Sequence, residues 1–303
     1  MKKLLTLILA VGLILSCLTG MSALAEEEEQ VIRFVYCAPD QNDSQLVYTN
    51  LMRAYVDQIN AEHRGYQIDF QVYNANFDLA TQIVQVESVI VNGCDVMLFF
   101  PNDTEGSISI IQQARDAGIK VIDATGNEAF NGIVDCIYVS SGEEKVADLL
   151  DEWIQKRYDA TGEQLKAGVI YGSMNQIPQL PRGDRRFDYA EAHPEQCEIL
   201  ISGSGEWNTQ LAMSMTEDWL VAQPEMNTLF VANTDMAQGV AQALHSSGKN
   251  PEDFVVTTVD LTYVALDMLK AGDIDVVCGC DKWDEARGAV DLCMNVFFGE
   301  YTE

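Results

Sequence analysis

Short apolar runs alternate with longer amphipathic segments along almost the whole chain. Ten runs stand out: VIRFVYC (31–37), QIDFQVY (67–73), DVMLFF (95–100), IKVIDA (119–124), DCIYVS (135–140), KAGVIYG (166–172), CEILIS (197–202), TLFVAN (228–233), FVVTTVD (254–260) and IDVVCGC (274–280). Each has strand length, is rich in β-branched and aromatic residues, and precedes a segment with helical spacing. In 78–91, for example, Leu79, Ile83, Val86 and Ile90 fall on one helical face. Near-continuous apolar strands joined by helices predict parallel sheets covered on both sides, an α/β fold. Ten strands exceed one comfortable doubly wound domain, so two Rossmann-like lobes joined by short hinge crossovers are expected. The boundary falls near YVSSGEE (138–144).

The first 25 residues depart from this pattern. Lys2 and Lys3 precede an apolar stretch from Leu4 to Leu15, and Ala23-Leu24-Ala25 offers a cleavage site. Residues 1–25 therefore read as an export signal and 26–30 as an acidic tail. LILSC, ending at Cys17, is a competing lipobox-like reading that would anchor the chain to a membrane by lipid. The protein is expected outside the cytoplasm, in the periplasm or at the outer face of the cell membrane.

The formal charge of −29 changes the list of partners. Nucleic acid and anionic membrane both need a basic footprint, so neither is expected. Seven cysteines follow the signal, an odd number without zinc-type spacing, and they read as inert buried thiols. No cofactor is expected. No G-x-S-x-G, Walker, H-E-x-x-H or G-x-G-x-x-G motif occurs, and His63, His193 and His245 have no paired nucleophile in sequence reach. DQNDS (40–44) begins like a calcium loop but has Gln45 and Leu51 where Gly and Glu are required. An enzyme is not expected, and neither is a metal site.

In open parallel sheets, ligands bind outside the carboxyl ends of the strands. Those ends read PDQNDSQ, NANFD, PNDTEG, DATGN, GSMNQ, GSGEWN, NTD and DLT in chain order. Asn, Asp, Ser and Thr cap helices everywhere, and Thr234 and Asp260 are plausible N-caps. Capping does not require Trp207 or Arg185 at the same rim. Amide, carboxylate, guanidinium and indole together suit a polar ligand with an apolar face.

The stretch FVANTDMAQGVAQALHSSGK through VVTTVDLTYVALDMLKAGDIDVV resembles the ribose-binding-protein family of periplasmic sugar receptors. NGCDVMLFFPND and ARDAGIKVIDA extend that resemblance over essentially the whole chain after the signal. It implies a type I periplasmic-binding-protein fold: one lobe of 31–139 plus 281–303, a second of 140–280, three hinge crossovers, and a sugar, polyol or similar solute clamped between the lobes. Carried over, it implies ligand contacts from Asn233, Asp260, Trp207 and Arg185, with Arg182 and Arg186 as alternatives because the register there could slip. Thr234 would cap the helix after Asn233. Asp43, Gln45, Thr125, Asn127 and Cys280 stand at further family positions with altered residue types, and Tyr48 is the one ring near the first strand end. A pocket of altered shape follows. The resemblance also implies a monomer that delivers its ligand to an ABC permease, or alternatively presents it to a chemoreceptor or histidine kinase. Family members continue past FFGEYTE into a last crossing and strand, whereas this sequence stops at Glu303.

Overall fold

The computed structural model describes residues 29–139, 142–249 and 253–300. The signal, Cys17 and most of the acidic tail lie outside the described residues.

All ten apolar runs form strands, and they sort into two five-stranded parallel sheets. The first holds β1 (Gln30–Ala38), β2 (Tyr66–Asn74), β3 (Val96–Phe99), β4 (Lys120–Asp123) and β5 (Cys136–Ile137) in the order β2-β1-β3-β4-β5. The second holds β6 (Leu165–Tyr171), β7 (Cys197–Ser204), β8 (Thr228–Val231), β9 (Val255–Val259) and β10 (Val276–Cys278), in the order β7-β6-β8-β9-β10. The two orders are the same, so each strand of one lobe has a counterpart five places on. β2 matches β7, β1 matches β6, β3 matches β8, and β4 matches β9.

Alternation along the inner part of β1 shows why the central strands are so apolar. Ile32, Phe34 and Tyr36 face one core, and Val35 and Cys37 the opposite one; all five are buried. Helices α1 (Asp43–Ala61), α2 (Leu79–Asn92) and α3 (Ile108–Asp116) cover the first sheet. Helices α4 (Glu143–Thr161), α5 (Pro181–Ala192), α6 (Thr209–Ala222), α7 (Thr234–Ser246) and α8 (Tyr263–Ala271) belong with the second. The last helix, α9 (Lys282–Phe298), leaves β10 and returns to pack on α1 and β3 of the first lobe.

The chain therefore passes between lobes after β5 and after β10. These are two crossings among the described residues, where the family resemblance implies three. The two are tied together: the Tyr138 hydroxyl donates to the Glu285 carbonyl (2.8 Å). A Cβ on Gly288 would stand 2.6 Å from that hydroxyl oxygen, so a glycine is needed where the first crossing lies on α9.

The seven cysteines after the signal are free thiols, five of them buried. Burial pushes Cys94 and Cys197 up to about 12, which leaves these thiols protonated. Among the described residues no helix is long and apolar enough to cross a membrane, and no His/Cys/Asp/Glu group could hold a metal ion.

Candidate ligand-binding cleft

The carboxyl ends of matched strands face each other across a cleft with about 800 Å3 of empty space, open solvent at its mouth included. Both lobes supply its walls.

The ends of β2 and β7 supply aromatic rings. Phe77 (φ 55°) follows Asn76 (φ 52°), and Trp207 (φ 56°) follows Glu206 (φ 49°); both pairs are in the left-handed region. Each turn is stabilised by the next residue, which caps the following helix. Asp78 accepts from the Thr81 amide (2.6 Å), and Asn208 from the Leu211 amide (2.8 Å). Both rings line the cleft. The indole lies so close over Gly172 that a Cβ there would be 2.1 Å from a ring carbon.

The ends of β8 and β9 supply Asn233 and Asp260. Asn233 is the N-cap of α7, its Oδ1 accepting from the Met236 amide (3.0 Å), while its Nδ2 donates to Asp235 (3.3 Å). Capping thus falls on Asn233 and not on Thr234, whose hydroxyl donates to the carbonyls of Val259 (3.1 Å) and Asp260 (2.9 Å). Asp260 is not a cap either: Thr262 caps α8. Asp260 has φ 77°, a strained position for a non-glycine residue that costs roughly 1–3 kcal/mol. Gly279 lies against this turn, where a Cβ would be 2.8 Å from the Leu261 nitrogen.

An ionic chain crosses the floor of the cleft. Arg182 Nη1 donates to the Ala232 carbonyl (2.7 Å), and its Nη2 stands 3.7 Å from Asp260 Oδ1. Lys282 Nζ lies 3.9 Å from the same carboxylate oxygen and 3.1 Å from Glu285 Oε2. Burial works against the Lys282 charge, but Glu285 and Asp260 outweigh it and hold the ammonium above its ordinary range. Asp260 belongs to the second lobe, whereas Glu285 lies on α9, which packs on the first. The chain therefore spans a hinge, and its two positive and two negative groups balance.

The structure places the other expected site residues as follows. Gln45 lines the cleft and accepts from the Tyr36 hydroxyl (2.6 Å). Thr125 lines it too, its hydroxyl donating to Asp123 (2.8 Å).

Arg185 is a correction. It points away from the cleft, pairing with Asp151 (2.9 Å) and Asp148 (2.7 Å) of α4. Arg186 is fully buried and pairs with Asp151 (2.7 Å), so the cleft arginine of this helix is Arg182. Asn127 is off the cleft wall; it caps a short turn at Ala129 and donates to the Thr104 hydroxyl (3.0 Å). Cys280 lines an adjoining recess behind Lys282, its thiol donating to Glu285 (3.2 Å). Asp43 starts α1 beside the cleft, with one carboxylate oxygen buried and unpartnered. Tyr48 is buried edge-on against Tyr36 (5.7 Å, 83°) and presents no ring to the cleft.

Asp235 lies where the first turns of α1 and α7 meet. Burial, then the charges of Asp260 and Asp43, push its carboxyl up to about 6. Asp123, buried behind Thr125, is also pushed up to about 6 by burial, against three hydrogen bonds that it accepts.

Sequence reasoning passed over several lining residues: Phe77, Phe100, Gln176, Gln179, Lys282 and Glu285. For Phe77 a signal existed, because NANFD and GSGEWN share an aromatic followed by Asp or Asn at corresponding strand ends.

Two lobes of the same topology, closing on a polar cleft with aromatic walls, define a bilobal small-molecule binding protein. Residues 34–300 match the family described as "Periplasmic binding protein domain", and the chain belongs to that family. Membership of a family of binding proteins answers the enzyme question in the negative. The chain is 28% identical over 242 residues to the putative rhizopine-binding protein of Rhizobium meliloti, covering 78% of this chain and 76% of that one. It is 24% identical over 262 residues to the ribose import binding protein of Escherichia coli K12, covering 86% and 81%. Among solved structures it is similar to an ABC transporter solute-binding protein of Bacillus halodurans C-125 with bound myo-inositol. The TM-score is 0.74 at 22% identity, with 92% of each chain covered, which establishes the fold.

Proposed function

We propose that the protein is an exported solute-binding protein that captures one neutral, cyclic, polyhydroxylated molecule between its lobes and delivers it to an ABC permease. The observation that carries this is the pairing of Phe77 and Trp207 around a cleft whose described charged lining residues, Arg182, Lys282, Asp260 and Glu285, pair with one another. Hydroxyls both donate and accept, so a closed site for them needs fixed groups of both kinds. Asp260, Glu285 and Gln45 supply acceptors; Arg182, Lys282 and the Asn233 amide supply donors. Because the ionic chain is balanced, an ionised ligand would have to break a pair to gain one. The C–H face of a sugar or cyclitol ring suits flat aromatic walls.

The myo-inositol bound to the Bacillus halodurans protein and the ribose in the name of the Escherichia coli relative are both members of that class. The lobes that close are 31–139 with 281–303, and 140–280. Calorimetry of the purified protein with myo-inositol, D-ribose and D-allose tests the reading. Binding of at least one, with no binding of glucuronate or ribose 5-phosphate, is the expected result. Tight binding of the charged compounds alone would overturn it.

A further inference from the structure

The loop after β6, residues 172–180, reaches from the second lobe to the first. Gln176 sits on it, only 5% exposed. Its Oε1 accepts from the indole Nε1–H of Trp207 (2.6 Å), in its own lobe. Its Nε2 donates to the Pro101 carbonyl (3.0 Å), in the other. One amide head group thus joins an aromatic wall of the cleft to the opposite lobe. Beside it, the Thr104 amide donates to the Asn175 carbonyl (3.1 Å), a second bond across the same seam.

Both sides of the seam are braced. On the second lobe, Gln179 Nε2 donates to the Ser173 carbonyl (2.8 Å) and folds the loop on itself. On the first, the fully buried Gln82 holds the 100–102 segment, donating to the Phe100 carbonyl (2.8 Å) and accepting from the Asn102 amide (3.0 Å). Asn127 holds Thr104, and the Asn127 amide in turn donates to Asp123 (2.8 Å), which also binds the cleft-wall residue Thr125.

The residue type at 176 follows from what it touches. An indole N–H is a donor only and a carbonyl an acceptor only, so the side chain between them must accept at one end and donate at the other. Glutamine does both. Glutamate would keep the Trp207 bond and set an oxygen against an oxygen at Pro101; leucine would leave both partners buried and unpaired.

We propose that Gln176 is a positioning residue that couples ligand stacking on Trp207 to lobe closure, and so governs how long the ligand stays bound. A ligand stacked on the indole fixes its Nε1–H, which fixes the Gln176 amide and aims Nε2 at Pro101. The ordering that closure requires is then complete before the lobes meet. Binding to the open form makes no use of the Pro101 bond, so the association rate is untouched. This rests on the binding function proposed above.

Stopped-flow kinetics and calorimetry with myo-inositol, D-ribose and D-allose test it on wild type, Gln176→Leu, Gln176→Glu, Trp207→Phe and the double variant Gln176→Leu/Trp207→Phe. Met174→Ala, exposed on the same turn, is the control. The expected result is dissociation about tenfold faster in Gln176→Leu and in Gln176→Glu, with association within about threefold of wild type. Trp207→Phe should speed dissociation as well, and the double variant should fall well short of the product of the two single effects, because both remove the indole–Gln176 bond. Met174→Ala should match wild type. Unchanged dissociation in both Gln176 variants, or additive effects in the double variant, would overturn the coupling while leaving the function standing. A wild type that binds none of the three would overturn the function and the coupling with it.

Discussion

Phe77 and Trp207 occupy the same position in the two lobes. Each follows the edge strand of its sheet, each has φ within a degree of 55°, and each is followed by the side chain that caps the next helix. An aromatic in the left-handed region is uncommon, and two at matched strand ends point to a shared task of walling the cleft. Phe77→Ala should weaken ligand binding about tenfold, and Trp207→Ala by about 30-fold or more, since the latter also empties the space over Gly172. Calorimetry on variants with unchanged circular dichroism checks this; equal affinity to wild type in either would remove that ring from the wall.

The arginines of α5 give a sharper discrimination. Arg182→Ala strips Asp260 of a partner in a closed site and should reduce affinity on the order of 30-fold. Arg185→Ala should leave affinity alone, because its partners lie on α4, and should cost about 0–1 kcal/mol of stability. A loss of affinity in Arg185→Ala, with Arg182→Ala unaffected, would reverse the assignment.

Asp235 makes the protein sensitive to acid in a definite direction. Its carboxyl is raised from the ordinary 3.8 to about 6, so the folded form holds the proton more tightly than the unfolded chain. The stability it contributes is full below about pH 4 and is lost as pH rises through about 6. Asp43 and Asp40 of the first lobe add to the opposing charge, so closure should also ease, and affinity rise, between pH 7 and 5. Asp235→Asn should raise stability at pH 7 by on the order of 1–2 kcal/mol and flatten its slope between pH 4 and 6. Asp123, shifted in the same direction, leaves a residual slope. Melting curves across that range, for wild type and variant, read the difference directly; parallel curves would contradict it.

Gly239 tests the packing that carries Asn233. A Cβ there would fall 2.0 Å from the Thr209 carbonyl oxygen, where α6 and α7 touch. Gly239→Ala should therefore cost about 1–3 kcal/mol in chemical denaturation.

The central strands were legible because β3, β8 and β9 are buried along their whole length and so are almost wholly apolar, whereas the edge strands β2 and β7 are only partly buried and carry polar positions. Asn233, Asp260 and Trp207 were legible as polar or aromatic residues at strand ends, where a parallel sheet opens to a ligand. Arg182, Arg185 and Arg186 could not be separated by pattern. Arg186 shares a helical stripe with Arg182 but lies one turn further from the strand ends, and there it is buried in the core. Arg185 is rotated towards the acids of α4, which no local spacing reveals. Lys282 and Glu285 are three residues apart in the first turn of α9, and that spacing alone does not mark them as site residues. They line the cleft only because α9 crosses back to the first lobe, a long-range contact. The N-cap went to Asn233 over Thr234 because the Thr hydroxyl finds two carbonyls at the end of β9, and those too are remote in sequence.

Small-angle scattering on the purified protein, with and without a compound that calorimetry shows to bind, tests the clamp itself. The bonds Gln176–Pro101 and Thr104–Asn175 join the two lobes, and the clamp predicts that they form on closure. Binding should therefore lower the radius of gyration, and Gln176→Leu should need more ligand to reach the same compact form. Saturating binding with no change in the radius of gyration would contradict capture by closure.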